Sequence, residues 1–261
     1  MKPDNRFAVG PVRRSTIDQL TNWSEEDAEP YSNGGWWWAG NWLLDGFTRP
    51  HGITTQDTRE GSFGLQFYGG GRVRWTFADG NLQAPLGKVW AVERWPAKET
   101  PSLLDGKWHR IACVRRWRDP DGATLELWVD GQIVASTAIP TRVDMRKYWD
   151  KLPHPENPKA VGGWSIGSEV MTAWNYYFTQ YEDYKGLVDE MEFWDRARSD
   201  EELSDWCRLT AERPAGLLAH FTFDEAAGEI IRDRIEPSYI LQFHRLQDGS
   251  WSNEDARCPT T

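Results

Sequence analysis

Cysteine is scarce. There are 3 in 261 residues, Cys113, Cys207 and Cys258. An odd count cannot form a full disulfide framework, and no CxxC pair or Cys/His spacing points to zinc. Cys113 falls on the apolar side of an alternating strand and is expected as a buried thiol. For Cys207 and Cys258 both a bridge and two free thiols stay open. No apolar run approaches the ~20 residues of a membrane span, which argues against a membrane partner. No basic block exists either. Lys and Arg number 30 against 40 Asp and Glu, for a net charge of −10. That balance argues against nucleic-acid binding through phosphate neutralisation. The opening MKPDNRFAVGPVRR has no apolar h-region and no small-residue cleavage site. The expectation is a cytoplasmic chain, or a secreted one if an export signal has been removed. Nothing in the sequence sets the oligomeric state.

Tryptophan is abundant, with 17 residues. That exceeds what a core needs, and Trp is common at binding surfaces. The most legible stretch is 104–134. Trp108–Arg116 alternates around Ile111 and Cys113, RDPDG at 118–122 is a turn, and Leu125, Leu127 and Val129 alternate with Thr124, Glu126 and Trp128. Asp130-Gly131 forms a second tight turn before a third strand. Asp-Pro-Asp-Gly at its centre excludes a helix. Further strands are expected at Phe63–Tyr68, Arg72–Ala78 and Lys88–Trp95, and in the Trp-rich segment Gly34–Phe47. Segments 1–33, 48–61 and 137–163 read as loops, the last two long enough to wall a pocket.

Two motifs resemble laminin-G-like jelly rolls of the concanavalin-A-like superfamily. One is DGKWHRIA followed by LELWVDG. The other is WSIG, then KGLVDEMEFWDRA and SDEEL, similar to that family's closing strand and the helical turn after it. The resemblance implies an all-β, two-sheet antiparallel jelly-roll sandwich with long loops and little helix. Gly216–Asp233 resembles the family's opening strand, yet it follows the closing one. A single domain over 1–261 is therefore expected. Residues 1–33 form an N-terminal loop extension, 34–206 the main jelly roll, and 214–261 a segment that supplies a further strand.

The resemblance admits two functions. The first is carbohydrate binding on an aromatic face lined by Arg and Glu, with a glycan or other small organic ligand as partner. Alternation away from the core selects Gln66, Tyr68, Arg74, Arg110 and Trp128, and Trp36, Trp38 and Trp194 join them as further aromatics. Trp128 has a rival reading, in which the N-terminal loop covers it and it only packs. The second function is an enzyme on the same scaffold, a polysaccharide hydrolase or lyase or an enzyme enclosing an aromatic or apolar small molecule. Its candidate acids and bases are Glu190, Glu192, Glu126 and His51, the last beside Asp57 and Glu60. Strand alternation puts Glu190 and Glu192 on one face, roughly 7 Å apart. Retaining glycoside hydrolysis needs carboxyls ~5–5.5 Å apart. No cofactor is certain. Calcium is a habit of the family, with Asp45, Asp79, Asn81 and Asp224 as placeholder ligands.

Overall fold

The computed structural model describes residues 8–9, 41–45, 63–68, 72–78, 89–94, 103, 105–118, 122–139, 165–167, 184, 186–205, 214–228 and 230–242. Fourteen strands and one helix fall within them. The strands are β1 (Ala8–Val9), β2 (Asn41–Asp45), β3 (Phe63–Tyr68), β4 (Arg72–Ala78), β5 (Val89–Arg94), β6 (His109–Arg118), β7 (Gly122–Val129), β8 (Gln132–Ile139), β9 (Ser165–Ile166), β10 (Val188–Asp189), β11 (Met191–Trp194), β12 (Leu217–Phe221), β13 (Ile230–Arg232) and β14 (Ile240–Gln242). The helix α1 is Asp200–Ser204. None of the described helical segments is long and apolar enough to cross a membrane.

Two five-stranded sheets carry the fold, with strand orders β10-β1-β6-β7-β8 and β5-β4-β3-β2-β9. Every pairing within them is antiparallel. Period-two alternation aims one set of side chains from each sheet inward. Leu65, Phe67, Val73, Trp75 and Phe77 come from one sheet, and Ile111, Leu125, Leu127, Val129 and Ile139 from the other. All are buried in a single core. The molecule is the antiparallel jelly-roll sandwich that the sequence implied.

Local chemistry explains the joints. Asp130 and Gly131 both adopt positive φ, 49° and 77°. That is the type I′ hairpin turn, whose twist matches its flanking strands. Ser199 caps α1: its hydroxyl accepts from the Glu202 N–H at 3.2 Å, and the Glu202 carboxylate accepts from the Ser199 N–H at 2.8 Å. This reciprocal box satisfies two end donors of a helix too short to persist alone.

Three expectations change. Residues 8–9 were read as loop, but they form a strand between β6 and β10, with Ala8 opposite both Arg110 and Asp189. Cys113 is not sealed in the core but exposed. Its register partner is the fully buried Leu127, so it points between the sheets, and enough protein surrounds the thiol to push its pKa up. Last, Glu190 interrupts the closing strand. Its φ of 50° is left-handed. It turns the chain out of the β10 pairing so that β11 pairs with β12. Ala219 and Phe221 of β12 join the same core as Met191 of β11.

His109 links two turns. Its Nδ1 meets an Asp130 carboxylate oxygen at 2.8 Å and its Nε2 an Asp105 oxygen at 3.0 Å. Burial pushes the imidazole toward its neutral form, but hydrogen bonds and charge from Asp130 and Asp105 outweigh it and raise the pKa. A raised folded pKa stabilises the fold fully below the ordinary value of 6.5, and that stability is lost as pH rises through the folded value. The stability difference between the native chain and His109→Gln is therefore expected to be largest in mild acid and to shrink toward alkaline pH. Melting curves across pH check this. A difference that stays constant or grows with pH contradicts it.

Candidate functional site

The outer face of the β6–β7–β8 sheet is covered around Trp128 and Glu126. Glu126 and Trp128 alternate away from the core as expected, yet Trp128 is only 6% exposed. Val114, Trp128 and Leu203 form a second, smaller core, with Ala112 and Ala197 against it. Leu203 belongs to α1, so the helical turn after the closing strand lies over the ring. The cover foreseen for Trp128 was the N-terminal loop; the described cover is 197–203. Arg116 fastens this cover. Its guanidinium donates to both Glu126 oxygens at 3.0 Å, to the Arg198 carbonyl at 3.0 Å and to Asp200 at 3.1 Å. The Trp128 Nε1–H donates to Glu126 at 3.1 Å. Burial pushes the Glu126 carboxyl up, but the hydrogen bonds from Arg116 and Trp128 and the nearby arginine charge bring it below its ordinary value. Glu126 is thus a buried, paired anion. Arg110 is buried too, and its backbone N–H donates to Asp130 at 2.8 Å. On this sheet the expectation of an open Glu126–Trp128–Arg110 face is corrected. Leu203 supplies the reason, since an apolar side chain from α1 needs apolar partners and Trp128 and Val114 provide them.

The outer face of the other sheet holds a polar row. Gln66 and Arg74 are register partners, flanked in register by Trp42 on β2 and Glu93 on β5. Gln66, Arg74 and Thr76 are all at 0% exposure, and the Thr76 hydroxyl donates to the Gly64 carbonyl at 3.3 Å. Sequence alternation placed Gln66 and Arg74 correctly on one face, but that face is sealed from solvent at these positions. For Tyr68 only the backbone pairing with Arg72 is described.

The carboxylates of the closing strand are also engaged. Glu190 does not continue the alternation that leads to Glu192, because its left-handed backbone separates β10 from β11. Its carboxylate meets His220 Nε2 at 2.6 Å. The Glu192 side chain is fully buried; it accepts from the Trp194 Nε1–H at 2.9 Å and lies 3.6 Å from the Arg198 guanidinium. Trp194 is half-buried, with the Arg198 and Arg196 guanidiniums over its ring at 4.3 and 5.2 Å. His220 was not among the sequence candidates. Its strand carries no local catalytic pattern, and only tertiary pairing brings it to Glu190.

Among the described residues, Trp117 and Tyr239 are the large aromatics that are exposed, and Trp117 lies beside the core. The inter-sheet side of β6 meets solvent beyond Ile111: Cys113 is exposed, Arg115 half-buried, and Trp117 48% exposed. The Arg115 guanidinium lies 4.3 Å from the Trp117 ring centroid and 4.5 Å from that of Phe77, which is fully buried on the facing sheet. Phe77, Arg115 and Trp117 thus form a stack running from the core to the surface. Cation–π contact with the Arg115 guanidinium helps hold the outer ring in place. Sequence alternation assigned this side of β6 to the core and ended the strand at Arg116. The strand runs on to Arg118 and carries Trp117 out to the rim. Among the described residues β6 has a strand neighbour on its β1 side only at His109 and Arg110.

Trp36, Trp38, His51, Asp57, Glu60, Asp79 and Asn81 lie outside the described residues, as do Cys207 and Cys258, and Asp45 is described by its backbone alone. Asp224 is exposed. Among the described residues no three His, Cys, Asp or Glu side chains gather as metal ligands.

Among solved structures, the chain is similar to a candidate carbohydrate-binding protein of Bacteroides ovatus, with 15% identity and a TM-score of 0.45. The match covers 92% of this chain, which spans 60% of that one. It is also similar to the CBM40 of the Ruminococcus gnavus IT-sialidase bound to α2,3-sialyllactose, with 10% identity and a TM-score of 0.38, over 79% of this chain and 84% of that one. Such scores add nothing to the fold, which rests on the strands. A search of curated proteins finds no match. The sequence profile of one family matches residues 44–204, most of the chain and nearly all of the sandwich. The chain belongs to the concanavalin A-like lectin/glucanases superfamily.

Proposed function

We propose that the chain is a carbohydrate-binding module and that a sugar stacks on Trp117 at the rim of the sandwich. The observation that carries this reading is the exposed Trp117 ring, held from behind by Arg115 and Phe77. An exposed tryptophan ring offers a flat apolar surface to a ligand, and a pre-set ring loses little entropy on binding. The sugar's C–H face supplies apolar contact while its hydroxyls stay near water. Membership of a superfamily described by lectins and glucanases supports a glycan as the ligand. Binding is favoured over hydrolysis because Glu126, Glu190 and Glu192 are each committed to partners within the protein.

An oligosaccharide array tests the reading. The native chain is expected to bind at least one glycan, and Trp117→Ala to lose that signal about 5- to 150-fold, the factor for removing an interface aromatic worth roughly 1–3 kcal/mol. Bound glycans incubated with the protein should stay intact. Release of new reducing ends, or an unchanged array signal for Trp117→Ala, would overturn the proposal.

A further inference from the structure

We infer that β8 is an interface edge and that its occupant is β8 of a second copy of this chain, paired antiparallel so that two five-stranded sheets run on as one. β8 is the outer strand of its sheet and, among the described residues, pairs only with β7. Gln132, Ile133, Ser136 and Ala138 along it are exposed, Ile133 to 50%. An edge strand presents a row of N–H and C=O groups to any further strand, and soluble chains blunt such edges with shortness, charge or proline. The other three edges of the two main sheets, as described, show these devices. β9 and β10 have 2 residues each. β5 ends in Glu93-Arg94. β8 has 8 residues, QIVASTAI, with no charge and no proline. Its one irregularity falls where Leu127 and Trp128 meet Ala135 and Ile133, and the run 135–139 keeps unbroken register with β7.

A second copy is the occupant this edge fits. A two-fold axis between antiparallel strands sets one short segment against itself, and like charges directly opposite one another oppose pairing. An edge that carried the charge of this chain, −10 in all, would repel its own copy. β8 is free of charge over its whole length, and screening at physiological salt confines repulsion from the rest of the molecule to about 8 Å. Residues 135–138 are Ala, Ser, Thr and Ala, small enough to leave both faces of the joined sheet uncrowded at the seam. β8 lies two strands from β6, which carries Trp117, and pairing there uses none of the residues assigned to the sugar.

Sedimentation of the native chain is the test. One strand ladder is a small interface, so a micromolar dimer is expected, with the mass rising over about 1–100 μM. The rise should run from the 30.1 kDa of one chain toward twice that. Ser136→Lys with Ala138→Lys sets like charges on both sides of the seam and should weaken the dimer at least about tenfold. Ser136→Glu with Ala138→Glu should do the same, and mixing the two double variants should restore the dimer. A native chain that stays at 30.1 kDa throughout, or a dimer that the double Lys variant leaves intact, overturns the proposal. Melting curves accompany each variant. Should the variants not fold, amide exchange of the native chain decides: protection of 132–139 that rises with concentration upholds the pairing, and protection that does not rise overturns it.

Discussion

Trp128→Ala is expected to lower the melting temperature by about 6–20 °C and to leave glycan affinity per folded molecule unchanged. The ring is buried between Val114 and Leu203, and its Nε1–H is one of the donors to Glu126. Truncating a buried Trp costs roughly 3–5 kcal/mol through lost burial and the cavity left behind. In a chain of this size each kcal/mol moves the midpoint by about 2–4 °C. Glu126 also loses a donor while staying buried, which adds to the cost. Leu203 loses its floor, so α1 should loosen with it. Thermal melts with a binding isotherm on the folded fraction check the expectation. A variant with a native melting temperature and weakened binding would return Trp128 to a ligand role.

Phe221→Ala is the second large effect. Phe221 is 5% exposed, opposes Met191 in register and meets Phe193 edge-to-face, with centroids 6.5 Å apart. With Ala219 it carries the C-terminal strand into the common core. A loss of about 3–5 kcal/mol is expected. Hydrogen exchange gives the sharper readout. Protection should fall in Met191–Trp194 as well as Leu217–Phe221, because β11 pairs along its length with β12. Loss of protection confined to 217–221, with the rest unchanged, would mean that the tail is an appendage.

The strands were legible in the sequence because a half-buried sheet imposes a period of two. Leu125, Leu127 and Val129 face inward as that period demands. The Asp130-Gly131 turn was legible because few residues suit its backbone positions. What covers an outward face was not legible. Trp128 has the same alternation whether sugar, water or Leu203 lies over it, and α1 returns to it from about 75 residues away. Alternation also assumes an unbroken strand. It put Glu190 beside Glu192, and a single left-handed residue voids that geometry. The same pattern ended the strand at Arg116 and left Trp117 unplaced, whereas β6 runs on to Arg118.

The central claim is that Trp117, and not Trp128, is the ring that meets a ligand. The direct measurement is the pair of affinities, for one glycan taken from the array, of Trp117→Ala and Trp128→Ala, each normalised to its folded fraction. Trp117→Ala should lose about 5- to 150-fold in affinity with a melting temperature close to native, because the ring is 48% exposed. Trp128→Ala should do the reverse. Full affinity in Trp117→Ala, or lost affinity in Trp128→Ala at native stability, would contradict the account.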